Sequence, residues 1–251
     1  MLPQIIFYIA FYIIGVVLGS FFTLATYRIP LKQDILYTRS YCPNCNNKLK
    51  SWDLIPILSY IFLKGKCRYC HQKISPRYII IEFFSGLFYL LFVVSLKIDI
   101  FNIDVFKIVD LLYGTLIISS LFIIGGIAKE TGKLSKGTLI FGLVVKVIYM
   151  IYLYILDCNI YRYIIYFVAI IMLFILQKFM TKENYKKICN IMILALFSII
   201  VTNEIIFIAS VIFTLIIHLI SYLITKQKNT NYVFYFSFLN ILFLIIYNFI
   251  K

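Results

Sequence analysis

Acidic residues are scarce in this chain. Ten Asp and Glu residues stand against 24 Lys and Arg residues, charged residues of both signs make up only 14% of the total, and no aspartate follows Asp157. Hydrophobic residues make up 63% of the chain, and the mean hydropathy is +0.98. A soluble domain cannot hide this much apolar surface. The composition therefore excludes a soluble globular protein and predicts a polytopic membrane protein.

The net charge of +14 would suggest a nucleic-acid partner if the protein were soluble. In a membrane protein the same excess has another explanation, because Lys and Arg collect in cytoplasmic loops. Ten of the 24 basic residues fall between Arg28 and Arg77. We therefore expect membrane lipid around the protein and no nucleic acid.

The sequence also lacks a convincing signal peptide. Its first apolar stretch, 5–27, is too long for a signal-peptide core, and no small-x-small cleavage site precedes the basic segment. We therefore expect a retained first span. The predicted fold is all-α and polytopic, with about eight transmembrane helices and a small cytoplasmic zinc-binding insertion. The predicted divisions are a first span at 1–27, a zinc module at 28–77 and a helical bundle at 78–251. The eight expected spans are 5–27, 78–96, 105–128, 137–156, 161–180, 188–202, 205–225 and 232–250.

Basic and acidic loops alternate along the chain. The basic loops are 28–77, 129–136, 181–187 and 226–231, and the opposite loops contain Asp99, Asp104, Asp157 and Glu204. This asymmetry predicts that both termini face outward and that the segment 28–77 lies in the cytoplasm.

Four cysteines form two CxxC pairs, Cys42 with Cys45 and Cys67 with Cys70. Each pair can offer two thiolates from a tight turn, and four thiolates complete the tetrahedral shell that Zn²⁺ prefers. The alternative is two disulfides. A reducing cytoplasm favours thiolates, so we predict a structural zinc site.

Three other residues could bind a metal or react as thiols, but we expect them to have structural roles. Cys158 and Cys189 are unpaired in the sequence, and we expect them to be apolar fillers. His218 lies in the seventh expected span, where we expect a packed or cavity-facing side chain.

Several short motifs follow one another in order between residues 19 and 82. Besides the CxxC pairs they are Gly19-Ser20-Phe21, Tyr27-Arg28-Ile29-Pro30, Asp53-Leu54-Ile55-Pro56-Ile57-Leu58-Ser59-Tyr60, Gly65-Lys66 before Cys67, and Ser75-Pro76-Arg77-Tyr78 leading to Glu82. Together these motifs resemble bacterial prepilin peptidases, the bifunctional leader peptidase/N-methyltransferases. Two positions depart from the family pattern, because Thr23 replaces a usual Asn and Ile79 replaces a usual Pro.

The resemblance implies a protein of the bacterial inner (plasma) membrane that matures type IV pilin-like precursors. Members cut a short basic leader and then methylate the new N-terminus with S-adenosylmethionine. Cleavage in the family uses two aspartates at the cytoplasmic ends of spans. In this chain the family pattern places Ala128 at the first position and Lys187 at the second.

Two carboxylates must share a proton for aspartyl proteolysis. Glu130 and Glu183 lie near the two positions and are the possible substitutes, but glutamates in lysine-rich loops are expected to be solvated and ionised. The sequence therefore argues that proteolysis is lost.

The resemblance associates Gly65, Lys66 and Glu82 with methyl transfer, and S-adenosylmethionine is its possible cofactor. The alternative for Gly65 and Lys66 is a turn beside the metal, and for Glu82 an ion pair with Arg28 or Arg77. Three functions stay open: a homologue without proteolysis that retains methyl transfer, a non-enzymatic scaffold for pilin-like leaders or pilus and secretion assembly partners, and a peptidase with unexpected acids. Whether the protein is an enzyme therefore stays open at this point.

Overall fold

The computed structural model describes residues 2–35, 37–101, 104–156, 158–179, 183–225 and 231–251, without the side chains of 183, 184, 187, 222, 224 and 225. Within these ranges the chain is helical and forms no β-strand, only two isolated β-bridges. The α-helices are α1 (Leu2–Arg28), α2 (Leu58–Phe62), α3 (Arg77–Ser95), α4 (Val105–Thr131), α5 (Lys136–Ile155), α6 (Tyr161–Phe179), α7 (Glu183–Val201), α8 (Glu204–Thr225) and α9 (Tyr232–Ile250).

Long apolar helices dominate the described chain, which confirms the all-α membrane fold class. A helix satisfies its backbone hydrogen bonds internally, which a segment in hydrocarbon must do. Within the described residues, seven helices are long and apolar enough to cross a membrane: α1, α3, α4, α5, α6, α8 and α9. The other long helix, α7, contains a shorter apolar part at Ile188–Val201. The difference from the expected eight arises because α7 begins with charged and polar residues.

Part of the charge pattern lies outside the described residues. This holds for Asp157, for 181–182 in one basic loop and for 226–230 in another. The expected orientation therefore stays a prediction.

The described chain divides into two compact units, Met1–Ile108 and Val109–Lys251, and the three-part division expected from the sequence stays a prediction. In the first unit α1 packs closely against α3 through small residues. A Cβ added to Gly15 would lie 2.7 Å from Tyr89 Cβ and 2.9 Å from Gly86 Cα. Small residues at such contacts let helix backbones approach one another in lipid.

In the second unit, polar side chains join neighbouring helices. Tyr149 donates a 2.6 Å hydrogen bond to Asp110, which connects α5 to α4. Lys146 is buried on the same face of α5, with its Nζ 4.2 Å from the ring centre of Tyr163 and 5.2 Å from that of Tyr113. These contacts compensate buried polar groups inside an apolar bundle.

The contact between α1 and α3 can be tested with Gly15→Ala. The added Cβ meets backbone and Cβ atoms that cannot rotate away, so we expect a loss of about 1–3 kcal/mol in stability, measured by thermal unfolding in detergent. The matched control is Gly137→Ala, because a Cβ there meets nothing within 4 Å. Equal midpoints for the two variants would show that α1 and α3 do not pack this closely.

Candidate functional site

The two CxxC pairs fold into two turns of the same design. In each, the first cysteine's N–H donates to the carbonyl five residues later, and the residue after the second cysteine donates back to the first cysteine's carbonyl. These distances are 3.0 and 2.8 Å in the Cys42 turn and 2.9 and 3.0 Å in the Cys67 turn. The residue that follows the second cysteine has a positive φ in both turns, 56° at Asn46 and 55° at His71. The two CxxC segments therefore adopt the same turn conformation.

The four thiol sulfurs converge on one point. They all lie within 4.8 Å of one another, and the Sγ atoms of Cys42 and Cys70 are 3.9 Å apart. Four ligands at the usual Zn–S distance of about 2.3 Å would be roughly 3.8 Å apart in a tetrahedron. All four are free thiols, so the disulfide alternative is not realised. The residues present therefore fit a four-thiolate metal site such as zinc, with no open position for a reacting water.

Local hydrogen bonds favour the thiolate form of two ligands. The backbone N–H of Gln72 and the side-chain amide of Asn44 lower the pKa of Cys70 to about 6. The backbone N–H of Cys45 similarly lowers the pKa of Cys42. A metal binds the thiolate and not the thiol, so these bonds favour metal binding by Cys42 and Cys70. At Cys45 the Asn47 N–H is outweighed by burial and by the neighbouring Cys42 and Cys70 thiols, which raise the pKa to about 11, so this thiol has to lose its proton when a metal binds.

An ion pair connects the second turn to the linker between the turns. Arg68 Nε lies 2.6 Å from Asp53 Oδ1, and the Asp53 side chain is only 2% exposed. The other Asp53 oxygen accepts from the backbone N–H of Lys50 at 3.1 Å. The linker is therefore fixed to the metal-binding turns and does not form a free loop.

Gly65 lies at the entrance to the second turn. Its φ is +66°, a left-handed conformation that favours glycine, and a Cβ there would lie 3.0 Å from the ring of Tyr60. Its carbonyl accepts from the N–H of Ile74 at 2.7 Å, while Lys66 is exposed. These contacts give Gly65 a structural role in the turn, and a role of either residue in methyl transfer stays a proposal.

Glu82 is buried one turn inside α3, and two neutral donors hold its carboxylate. The backbone N–H of Ile57 donates to Oε2 at 2.7 Å, and the Ser20 hydroxyl on α1 also donates to the carboxylate. Arg28 directs its guanidinium to the carbonyls of residues 34, 38 and 39, and Arg77 donates to the Thr26 hydroxyl. The carboxylate therefore connects both membrane helices of the first unit to the linker.

Ala128 is fully buried near the end of α4. Its carbonyl accepts a hydrogen bond from the side chain of Asn231, and the Nζ of neighbouring Lys129 lies 4.9 Å from the ring centre of Phe234. Glu130 is exposed. The position thus carries a methyl group packed in protein, and a carboxylate is absent from it.

The remaining sequence-predicted positions have mixed outcomes. Glu183 and Lys187 lie in the first turns of α7, and their side chains fall outside the described part of the chain. Cys189 is buried with its thiol 3.4 Å from the Leu173 carbonyl, as expected of a filler. For Cys158 that expectation was wrong, because it is exposed in the connection after α5. His218 is exposed on α8, a helix that presents much of its surface outward.

The model of the bacterial peptidase A24 N-terminal domain matches residues 13–96. The chain is also similar to prepilin leader peptidase/N-methyltransferases of several bacteria. The Vibrio cholerae protein is 42% identical over 87 residues, covering 32% of this chain and 34% of the relative. Residues 13–96 thus match the N-terminal domain of the prepilin peptidases. The Bacillus subtilis member is 49% identical over 67 residues, covering 27% of each chain. The Klebsiella pneumoniae member is 33% identical over 129 residues, covering 49% of this chain and 53% of the relative.

The prepilin peptidase match is partial. Over the three relatives named, the chain aligns with about a quarter to a half of their lengths, and no solved structure matches. The match to the family model includes all four metal-binding cysteines and Glu82 but ends before Ala128. The resemblance seen in the motifs is thus confirmed, while the assignment of the two aspartate positions stays a prediction.

Sequence reasoning missed two features of the first unit. One is the bond from Ile57 N–H to Glu82, for which the sequence contains no signal because isoleucine is unfavourable at its φ of 61°. The other is the ion pair of Asp53 with Arg68. Opposite charges in two adjacent motifs were the available signal for that pair.

The four-thiolate site can be tested by the zinc content of purified protein. We expect about one zinc per chain in the unmodified protein and almost none in Cys45→Ala, because three thiolates leave the shell incomplete. Cys158→Ala is the matched control, since Cys158 is an exposed thiol outside the cluster, and its zinc content should not change. Full zinc in Cys45→Ala would rule out a four-thiolate site.

Proposed function

We propose that the protein acts in the maturation of type IV pilin-like precursors in the bacterial inner membrane, with N-methyl transfer retained and aspartyl proteolysis lost. The observation that carries this proposal is the contrast between two positions. The prepilin peptidase domain keeps its cysteine cluster and a buried Glu82, whereas Ala128 presents only a buried methyl group.

Loss of proteolysis follows from the chemistry of the missing carboxylate. Aspartyl cleavage needs one carboxylate as base toward water and a second as acid toward the carbonyl. Ala128 can do neither. Glu130 is exposed, whereas the reaction requires two carboxylates held close enough to share a proton.

The relatives' names include an N-methyltransferase activity, and Glu82 is our candidate for its base. Its carboxylate is buried near the start of α3, and donors from the linker and from α1 fix its orientation. A carboxylate so placed can bind the ammonium of a cleaved subunit and take one proton, which frees the nitrogen lone pair for attack. S-adenosylmethionine, when bound, supplies the methyl group. The four-thiolate metal takes no part in this chemistry.

The proposal includes the predicted orientation, with the segment 28–77 in the cytoplasm. The charge asymmetry of the loops supports it. Cytoplasmic S-adenosylmethionine would then be available to a site on the same side. A reducing cytoplasm would also keep the four cysteines as metal-binding thiols.

Cleavage and methylation should be measured separately in membranes, with labelled S-adenosylmethionine and a type IV prepilin peptide supplied uncut or precut. We expect methylation of the precut peptide and no cleavage of the uncut one. Glu82→Gln should lower methylation by about 100-fold or more, the usual contribution of a general base, while its zinc content shows that the module is intact. Glu130→Gln is the matched control and should leave methylation unchanged.

Each other outcome supports a different function. Cleavage of uncut peptide that is lost in Glu130→Gln or Glu183→Gln would establish a peptidase with unexpected acids. Peptide binding with neither reaction would establish a scaffold. Full methylation by Glu82→Gln would remove Glu82 from the reaction even if the activity itself is present.

A further inference from the structure

The linker between the two metal-binding turns is apolar and exposed. Residues 51–63 read Ser-Trp-Asp-Leu-Ile-Pro-Ile-Leu-Ser-Tyr-Ile-Phe-Leu. They form a short 3₁₀ helix at Ser51–Leu54 and then α2. The Trp52 side chain is 74% exposed and that of Phe62 is 78% exposed. A run of large exposed apolar groups in one segment marks an interaction surface. The others in this segment are Leu54, Ile55, Leu58 and Ile61.

The bond from Ile57 to Glu82 fixes the depth of this linker relative to the membrane helices. Glu82 lies five residues after the start of α3 at Arg77, or about 7.5 Å along the helix axis. Ser20, which also contacts the Glu82 carboxylate, lies eight residues before the end of α1, or about 12 Å along that axis. The middle of the linker is therefore level with residues inside the spans and not with the helix ends.

The backbone reverses at this deepest point. Leu58 N–H donates to the Pro56 carbonyl at 2.6 Å, and Ile57 has φ 61° and ψ −54°. These values describe a classic γ-turn, which is rare and strained. Such a turn leaves the Ile57 N–H pointing away from the loop, where Glu82 accepts it. The strained turn thus lets the chain descend to Ile57 and return at once through α2.

Backbone groups around the turn find partners within the protein. Besides Ile57 and Leu58, the N–H groups of Ser59, Ile61 and Leu63 donate to carbonyls within the linker at 2.9–3.1 Å. Pro56 has no N–H to satisfy. A segment in contact with hydrocarbon needs such internal bonding. The linker is therefore suited to an apolar environment in its backbone as well as its side chains.

Lysines flank the apolar run on both sides. Lys48 and Lys50 precede it, and Lys64 and Lys66 follow it; Lys48, Lys50 and Lys66 lie in or beside the two metal-binding turns. Apolar residues between basic ones, with a tryptophan at the edge, are typical of a segment that lies in the membrane interface. The ammonium groups would meet lipid phosphates while the apolar side chains enter the acyl region.

We propose that residues 52–63 form an interfacial membrane segment, inserted into the leaflet at which α1 ends and α3 begins. The lipid bilayer is the partner that covers its exposed apolar side chains. Insertion holds the metal-binding turns at the membrane surface. The proposal does not depend on cleavage or methyl transfer.

The chain contains one tryptophan, so Trp52 reports on this segment without labelling. The zinc-loaded full chain is reconstituted into phosphatidylcholine/phosphatidylglycerol vesicles that carry bromine on the lipid acyl chains. We expect brominated lipid to lower Trp52 emission by about twofold or more and aqueous iodide to quench it weakly, as for an interfacial tryptophan.

Three double variants calibrate the measurement. W52F/F62W places the probe at the other end of the segment and should respond as Trp52 does. W52F/F84W places it on an exposed position of α3 and gives the response of a spanning helix. W52F/Y37W places it where the wild-type side chain is 91% exposed, outside the apolar run, and should respond most to iodide. Zinc content confirms that each variant retains the module.

Two results would overturn the proposal. Strong quenching of Trp52 by iodide and none by brominated lipid would place the segment in water. Protection from both quenchers would show that protein covers it, either a second copy or another part of the chain. Diluting the protein in lipid separates these two cases. Emission that changes on dilution indicates a second copy, and unchanged emission indicates another part of the same chain.

Discussion

The buried carboxylate of Glu82 connects the two long helices of the first unit with the linker between the cysteine turns. It sits on α3, accepts from Ser20 on α1 and accepts from the backbone of Ile57 in the linker. Burying a carboxylate is costly unless donors compensate it. Removal of these donors would leave an unpaired buried charge, which is strongly destabilising. The close contact of α1 with α3 and the position of the linker therefore depend on the same group.

The metal site supplies the second constraint on this unit. The two cysteine turns are short and polar, and their apolar neighbours point outward and not into a shared core. Four thiolates around one metal can supply the folding free energy that such a segment lacks. The linker is then fixed from two sides, by the ion pair of Asp53 with Arg68 in the second cysteine turn and by the bond of Ile57 to Glu82 on α3. A strained γ-turn at Ile57 persists because both ends of the linker are held.

The sequence predicted features that depend on local pattern. Cysteine spacing predicted the thiol cluster, and hydropathy predicted the long helices, because each signal resides within a short segment. Seven helices of the described chain meet the length and hydropathy of a span, against about eight expected, since the apolar part of α7 is shorter. The apolar run within 28–77 was not recognised from the sequence, because many lysines surround it. The Glu82 contact was beyond prediction, as it joins residues 25 positions apart through a backbone conformation that isoleucine rarely adopts.

Two charged residues of the second unit make packing contacts, which favours the first unit as the location of the proposed methyl transfer. Asp110 is the other acid on α4 besides Glu130, and it lies 18 residues before Ala128, or about 27 Å away along the helix. Its carboxylate accepts from Tyr149, so it serves helix packing at the opposite end of α4. The buried Lys146 is likewise engaged, with tyrosine rings around it. Buried charge in this part of the described bundle thus stabilises the fold. The buried carboxylate of Glu82 instead contacts the linker and lies one to two turns inside α1 and α3, and for this reason it is the candidate base of the proposed methyl transfer.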